Sequence, residues 1–283
     1  LRNDLSIHFI NSKDCPLSLT DRKKSIKRLH NQNVKNLLFK ILKLRFSSAL
    51  KYYLALNIGI LDILSFLITK LNVSQRFAKY KSFNSGSYWD GRYVNGGDSG
   101  AGSYGRLSEF KADFLNNYIE SNDVKSVVEL GCGDGNQLKL AKYPSYVEVD
   151  ISKKAISICE HSFVDDDSKS FVVSSEKNIL ELKKNKFDLA MSLDVIFHLV
   201  EDSVYHSYMK NLFELSNSKV IIYSSNKTDK NTPPHVKHRK HTDWVKDNKK
   251  EWKLDKVVMN KFPYDVSDPN NTSFADFYVY EKK

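Results

Sequence analysis

Cysteine is scarce in this chain: Cys15, Cys132 and Cys159 are the whole complement. An odd number with no metal-ligand spacing excludes a disulfide framework and a zinc motif, and fits a reducing cytosol. The first thirty residues are polar and charged and lack the compact apolar stretch and small-residue exit of a secretory leader, so none is expected. The longest apolar run, Tyr52 to Leu71, has the length to cross about 30 Å of hydrocarbon, but Asn57 and Asp62 interrupt it. A carboxylate at the centre of a membrane helix costs about 2.5 kcal/mol or more, which excludes a spanning helix. Also missing are the dinucleotide fingerprint G-x-G-x-x-G, the Lys-Ser/Thr pair of a phosphate-cradling loop, a zinc knuckle and an aromatic RNA-binding signature.

Acidic residues are scarce in one region only. Residues 1–80 hold fifteen Lys and Arg against four Asp, which leaves 29 basic and 30 acidic residues for the rest of a chain whose formal charge is +10. The remainder is thus nearly neutral, and a nucleic-acid surface would have to come from the N-terminal arm alone. Within the arm, basic residues lead into the apolar segment, so residues 20–71 read either as a peripheral anchor for anionic lipid or as a helical extension packed on the core or on a second subunit. Near all-round apolarity favours the packed helix, with a homodimer as one way to cover it.

What the chain does have is a constellation of glycines and acids. Val127 and Val128 begin a buried strand that ends at Gly131-Cys132-Gly133-Asp134-Gly135, a turn expected to open a helix. Tyr146 to Asp150 reads as a second strand, and Asp150 stands nineteen positions after Gly131, where a carboxylate can accept both hydroxyls of a ribose. Phe187 to Val195, Val220 to Tyr223, Trp252 to Met259 and Phe274 to Tyr280 read as further strands, with a helix from about Tyr205 to Leu215. Alternation of strand and helix predicts an α/β fold whose ligands bind outside the carboxyl ends of the strands.

The pattern Glu129-x-Gly131-x-Gly133-x-Gly135 followed by Asp150 resembles the first motifs of the class I S-adenosylmethionine-dependent methyltransferases, over roughly residues 81–283. The resemblance implies a Rossmann-like, mostly parallel seven-stranded sheet flanked by helices, preceded by the helical extension of residues 1–80. It implies S-adenosylmethionine as cofactor and S-adenosylhomocysteine as product. Glu129 would orient the loop and the methionine ammonium; Gly131, Cys132, Gly133 and Gly135 would pass beneath methionine and ribose. Asp150 and Ile151 would take the ribose, and Ser192 and Leu193 would sit at the end of the fourth strand. The adenine contact is expected near Ser174 to Glu176.

Residues 81–106 hold seven glycines interleaved with Tyr, Trp and Arg. They are expected to form a glycine-hinged lid that excludes water. Tyr104 and Arg106 are its cofactor contacts, Arg106 on the carboxylate, while Tyr88, Trp89, Arg92 and Tyr93 face the acceptor. The cluster Pro233 to Trp244, with Tyr88-Trp89 and Ser192 to Leu199, resembles methyltransferases found with bacterial surface-polysaccharide (capsule) synthesis genes, which implies a small glycan, sugar nucleotide or phosphorylated acceptor. Methylating a hydroxyl needs a base: His198 is the first candidate and His238 the next, with Asp194 orienting it or binding acceptor, and His235 and Arg239 as acceptor contacts. No Asn/Asp-Pro-Pro-aromatic run follows the fourth strand, which disfavours nucleobase amines.

A metal-assisted variant through Asp194, His198, His235 and His238 stays open, although no spacing enforces it and no metal is expected. The reading is a cytoplasmic, possibly membrane-peripheral O-methyltransferase of a small molecule. The alternatives are an RNA methyltransferase using the basic arm, or a binding protein that does not turn over.

Overall fold

The computed structural model describes residues 83–229 and 232–283. The arm of residues 1–80, with its membrane, packed-helix and dimer readings, lies outside the described residues. Among the described residues no helix is long and apolar enough to cross a membrane.

Seven strands form one sheet: β1 (Val127–Leu130), β2 (Tyr146–Asp150), β3 (Lys169–Val173), β4 (Phe187–Leu193), β5 (Ser216–Ser224), β6 (Trp252–Val258) and β7 (Asp276–Lys282), in the order β3-β2-β1-β4-β5-β7-β6. The neighbours from β3 to β5 pair in parallel, and β7 runs antiparallel to both β5 and β6. Parallel strands covered on both faces need apolar side chains at every position. β1 meets that demand at Val127, Val128 and Leu130 and breaks it at Glu129, a carboxylate as buried as its neighbours.

Alternate residues supply two cores. Val128, Ala190, Ile222 and Tyr280 pack on one face; Val127, Leu189, Ile221 and Val279 pack on the other. Helices cover both faces: α1 (Ser85–Val94), α2 (Gly105–Ser121), α3 (Lys153–Ser162), α4 (Glu176–Leu182), α5 (Asp202–Glu214) and α6 (His241–Asn248). Three begin on side-chain caps, where Asn84, Ser152 and Ser175 accept from the backbone N–H of Ser87, Ala155 and Asn178.

Two expectations need correction. The turn after β1 opens no full helix, only a single 3₁₀ turn at Gln137–Leu140. Few residues separate Gly135 from the start of β2, and Pro144 biases Tyr143 away from helical backbone. The glycine-rich segment expected as a lid, in turn, is built on a helix. With Asn84 as cap, Ser85, Trp89 and Tyr93 fall at i, i+4 and i+8 on one face of α1.

The sheet's switch point, between β1 and β4, sets where a ligand can enter, and it is stable only while the strands beside it stay packed. Ile222→Ala removes a fully buried side chain from β5, and should lower stability by about 2–5 kcal/mol. Urea unfolding followed by circular dichroism should show a lower midpoint and an unchanged slope.

Candidate active site

β1 and β4 diverge at their carboxyl ends, because their crossovers leave toward opposite edges of the sheet. The crevice there is a cavity of about 460 Å³, within the range of small-ligand sites. Its floor is the glycine loop. Gly131 and Gly133 have φ of 87° and 67°, backbone that costs side-chain-bearing residues free energy. A Cβ at Gly131 would come 2.8 Å from a Val195 methyl, and one at Gly133 would run into Ser99 and the Tyr93 hydroxyl. The loop is pinned to β2, since Gly131 N–H donates to the Val149 carbonyl at 2.8 Å and Gly133 N–H to Asp150 Oδ2 at 3.3 Å.

Four acids line this cavity, Glu129, Asp150, Asp194 and Glu201, and the first two stand beside the glycine loop. Asp150 also accepts the Ser152 N–H at 2.7 Å, yet burial pushes its carboxyl up to about 6. Glu129 is pushed up to about 7 by burial, against the opposing hydrogen bond from the Tyr146 hydroxyl at 2.9 Å and the charge of Lys111. Ile151 and Leu193 add apolar wall, and Ser174, where an adenine contact was expected, also lines the cavity. The expected cofactor side is therefore assembled at Glu129, Gly131, Cys132, Gly133, Asp150, Ile151 and Leu193.

Two further cofactor candidates lie behind this wall. Gly135 packs against Cys159 and Phe163, and Ser192 is buried in a hydrogen bond with Tyr208, whose hydroxyl donates on to the Leu130 carbonyl.

The segment before α2 closes the crevice. Ser85 donates from its N–H and hydroxyl to Glu201, both at 2.8 Å, and Asp90 accepts from Ser152 at 2.7 Å, so α1 is tied at both ends of the opening. Asp134 of the glycine loop accepts from Ser99 N–H at 2.9 Å and from the Tyr104 hydroxyl at 2.8 Å. Tyr104 thus acts on the loop and not on the cavity wall. Trp89 and Tyr93 line the cavity; Arg92 turns away to Asp98 at 2.7 Å and holds the loop that follows.

On the acceptor side, His198 lines the cavity. Its Nδ1 lies 2.9 Å from the His235 carbonyl. A carbonyl only accepts, so Nδ1 carries the proton and Nε2 is left as the basic nitrogen. Burial drives His198 down to about 4, opposed by that hydrogen bond. Trp89 meets its ring edge-on at 4.8 Å; His235 stacks on His198 and on Tyr88, at 5.6 and 5.1 Å. Tyr88 and His235 support the histidine from behind.

Several expected contacts are corrected by partners distant in sequence. Arg106 lies over Phe262, bonded to the Asn271 carbonyl at 2.6 Å and to Asp268 at 3.2 Å, so it serves the loop before β7 and not a cofactor carboxylate. Arg239 is consumed by Asp202 and by the Leu199 and Val200 carbonyls. His238 is buried against the Ser225 hydroxyl at 2.6 Å. Asp194 is paired with Lys111 and His198 is committed to a carbonyl, so the Asp194/His198/His235/His238 metal variant is not assembled as a cluster. Among the described residues, the ligand-type group that is assembled is a different one, Cys132, Glu148 and Cys159.

Lys111 is the functional residue that the sequence reading missed. It is 1 % exposed, lines the cavity, and places Nζ 2.7 Å from Asp194 Oδ2. Asp194 adopts φ 60°, the left-handed backbone that functional sites concentrate. A signal existed: Lys111 stands on the buried stripe Leu107, Lys111, Leu115, Tyr118 of α2, where an apolar residue is the rule.

Residues 128–214 match the family model described as a methyltransferase domain. A structure of the N-methyltransferase NodS from Bradyrhizobium japonicum WM9 with S-adenosyl-l-homocysteine is similar at 15% identity and TM-score 0.54, over 71% of this chain and 99% of that one. Magnesium protoporphyrin IX methyltransferase from Synechocystis PCC 6803 is similar at 17% identity and TM-score 0.46, over 74% of this chain and 97% of that one. No curated protein matches the chain. Residues 128–214 are thus similar to a methyltransferase domain, and the sheet with its helices shares the Rossmann-like fold of the NodS structure.

An ammonium held by Glu129 would take its ionised form, so acid should compete with such a ligand. S-adenosylhomocysteine affinity should fall, by up to about tenfold per pH unit, as pH drops below about 7. In Glu129→Gln that dependence near neutrality should disappear and binding should be weaker throughout. Isothermal titration between about pH 6 and 8 reads both effects.

Proposed function

We propose that the enzyme transfers the methyl group to a hydroxyl oxygen of a small, sugar-like acceptor, as in the methylation of bacterial surface-polysaccharide precursors. The observation that carries this reading is His198, with its Nδ1–H held by a backbone carbonyl and its basic Nε2 left on a cavity wall beside Trp89.

The residues fit the donor. Glu129 and Asp150 are buried carboxyls held above their ordinary range, and a bound ammonium and ribose hydroxyls would supply the partners that burial denies them. Gly131 and Gly133 let the loop backbone line the cavity while packed against Val195, Ser99 and Tyr93, where a Cβ would collide. When bound, S-adenosylmethionine supplies an activated methyl on a sulfonium. The protein's share is to align the acceptor, exclude water and take one proton. Alignment falls to the aromatic wall of Trp89 and Tyr93, and exclusion of water to α1, latched by Ser85 and Asp90. The proton goes to Nε2 of His198.

Charge narrows the acceptor. A phosphorylated precursor needs cations in the pocket, and the two arginines expected there, Arg92 and Arg239, are neutralised by Asp98 and Asp202. This supports a neutral, hydroxyl-rich acceptor over a phosphate-bearing one. The aromatic wall supplies apolar faces of the kind that cover the C–H surface of a sugar ring.

The test is an S-adenosylhomocysteine-release assay over neutral glycosides, sugar nucleotides and primary amines. Glycosides should turn over, and His198→Ala should lower kcat by about 10²–10⁴-fold while cofactor affinity measured by titration stays unchanged. At saturating cofactor, kcat through His198 should hold from neutrality down toward pH 4 and then fall as the imidazole protonates. Turnover of amines alone, undiminished in His198→Ala, would overturn the reading.

A further inference from the structure

Behind the cofactor loop lies a second set of chemically active side chains that methyl transfer does not use. Cys132 sits between the two loop glycines, Glu148 on β2 and Cys159 on α3. All three are buried, Glu148 and Cys159 completely. The two sulfurs are 4.0 Å apart, and one ligand atom from each of the three residues falls within 4.8 Å of the others. Neither oxygen of Glu148 has a hydrogen-bond partner. A completely buried carboxyl with both oxygens unmet is rare in folded proteins, and it calls for a partner that the side chains alone do not supply.

We propose that Cys132, Glu148 and Cys159 form a binding site for one thiophilic divalent cation of the zinc type, which ties the cofactor loop to β2 and α3. The donor set selects the metal: two sulfurs and one oxygen suit zinc-like ions, whereas magnesium and calcium take all-oxygen shells. The spacing agrees as well. A tetrahedral ion with Zn–S of about 2.3 Å separates two sulfur ligands by about 3.8 Å, close to the 4.0 Å found here. The Gly133 carbonyl, 3.4 Å from Cys159 Sγ, offers a further oxygen on the same side.

A disulfide fits less well. It would draw the sulfurs in to about 2.05 Å and still leave Glu148 without a partner. The site was invisible to spacing rules because its ligands come from a loop, a strand and a helix, with the two cysteines 27 positions apart.

The full chain, reduced with a phosphine and freed of metal, is titrated with Co²⁺ under anaerobic conditions. The expected result is one equivalent bound, with the near-ultraviolet thiolate-to-cobalt band and the intense visible bands of a tetrahedral ion, both lost on adding one equivalent of Zn²⁺. Cys15→Ser should leave the spectrum intact. Cys159→Ala should abolish the band, and Glu148→Gln should weaken Co²⁺ binding by more than the about 10–100-fold that loss of an outer-shell partner costs. Thermal melts confirm that each variant is folded. Absence of a thiolate-to-cobalt band in the folded, reduced chain overturns the site. So does an unchanged band in Cys159→Ala, or unchanged affinity in Glu148→Gln.

Discussion

The crevice depends on one buried ion pair. Lys111 reaches from α2 to Asp194, the residue that follows β4 in left-handed backbone, and the walls of the site meet around that contact. The N–H of Asp194 donates to the Tyr223 carbonyl on β5, and the Lys111 ammonium lies 5.3 Å from the Tyr223 ring. Gly102 comes so close beneath the carboxylate that a Cβ there would sit 2.8 Å from Oδ2. The neighbouring Val195 in turn fills the space above Gly131. Removing one partner of such a buried pair costs about 3–5 kcal/mol, because the other is left charged and unpaired. Here that cost would fall on the geometry of a ligand site.

Around this pair the protein keeps an excess of buried acid. Glu129, Glu148 and Asp150 are all inside, and all are held above their ordinary range, first by burial. Such an arrangement opposes stability at neutral pH in the free protein, since a carboxyl whose folded value is raised contributes less as pH rises through it. It makes sense where a cationic ligand arrives. On the proposed reading a sulfonium and an ammonium would bring positive charge toward Glu129, at the end of β1, and binding would relieve the excess of buried acid.

What the sequence revealed was whatever its own local spacing encodes. Glu129, Gly131, Gly133 and Asp150 belong to two consecutive strands and one turn, so their meeting on one cavity wall could be read from positions within about twenty residues. The parallel sheet was legible for the same reason. Arg106 and Arg239 misled because each has a carboxylate partner far along the chain, Asp268 and Asp202, and a basic residue near a site looks available until that partner is placed. The lid reading counted glycines and overlooked the i, i+4 spacing of Ser85, Trp89 and Tyr93 behind a good N-cap. Lys111 was legible in principle as a charge on an apolar stripe, but its meaning needed Asp194 across 83 positions.

If His198 is the base, as proposed above, the same economy of charge bears on how a weak base would suffice. His198 is held near pKa 4 by burial, with Arg92 and His238 adding smaller repulsion, so it is neutral throughout the physiological range. A base of that strength is poor at abstracting a proton from a resting alcohol. A hydroxyl under attack on a sulfonium methyl becomes strongly acidic as the new bond forms, so a modest base placed within reach then gains most of what a stronger one would give. The low value brings an advantage, since the nitrogen is never lost to protonation near neutrality. Placement therefore matters more than basicity here. In that role the carbonyl on Nδ1, the Tyr88–His235 stack and the Trp89 indole would serve to place the ring.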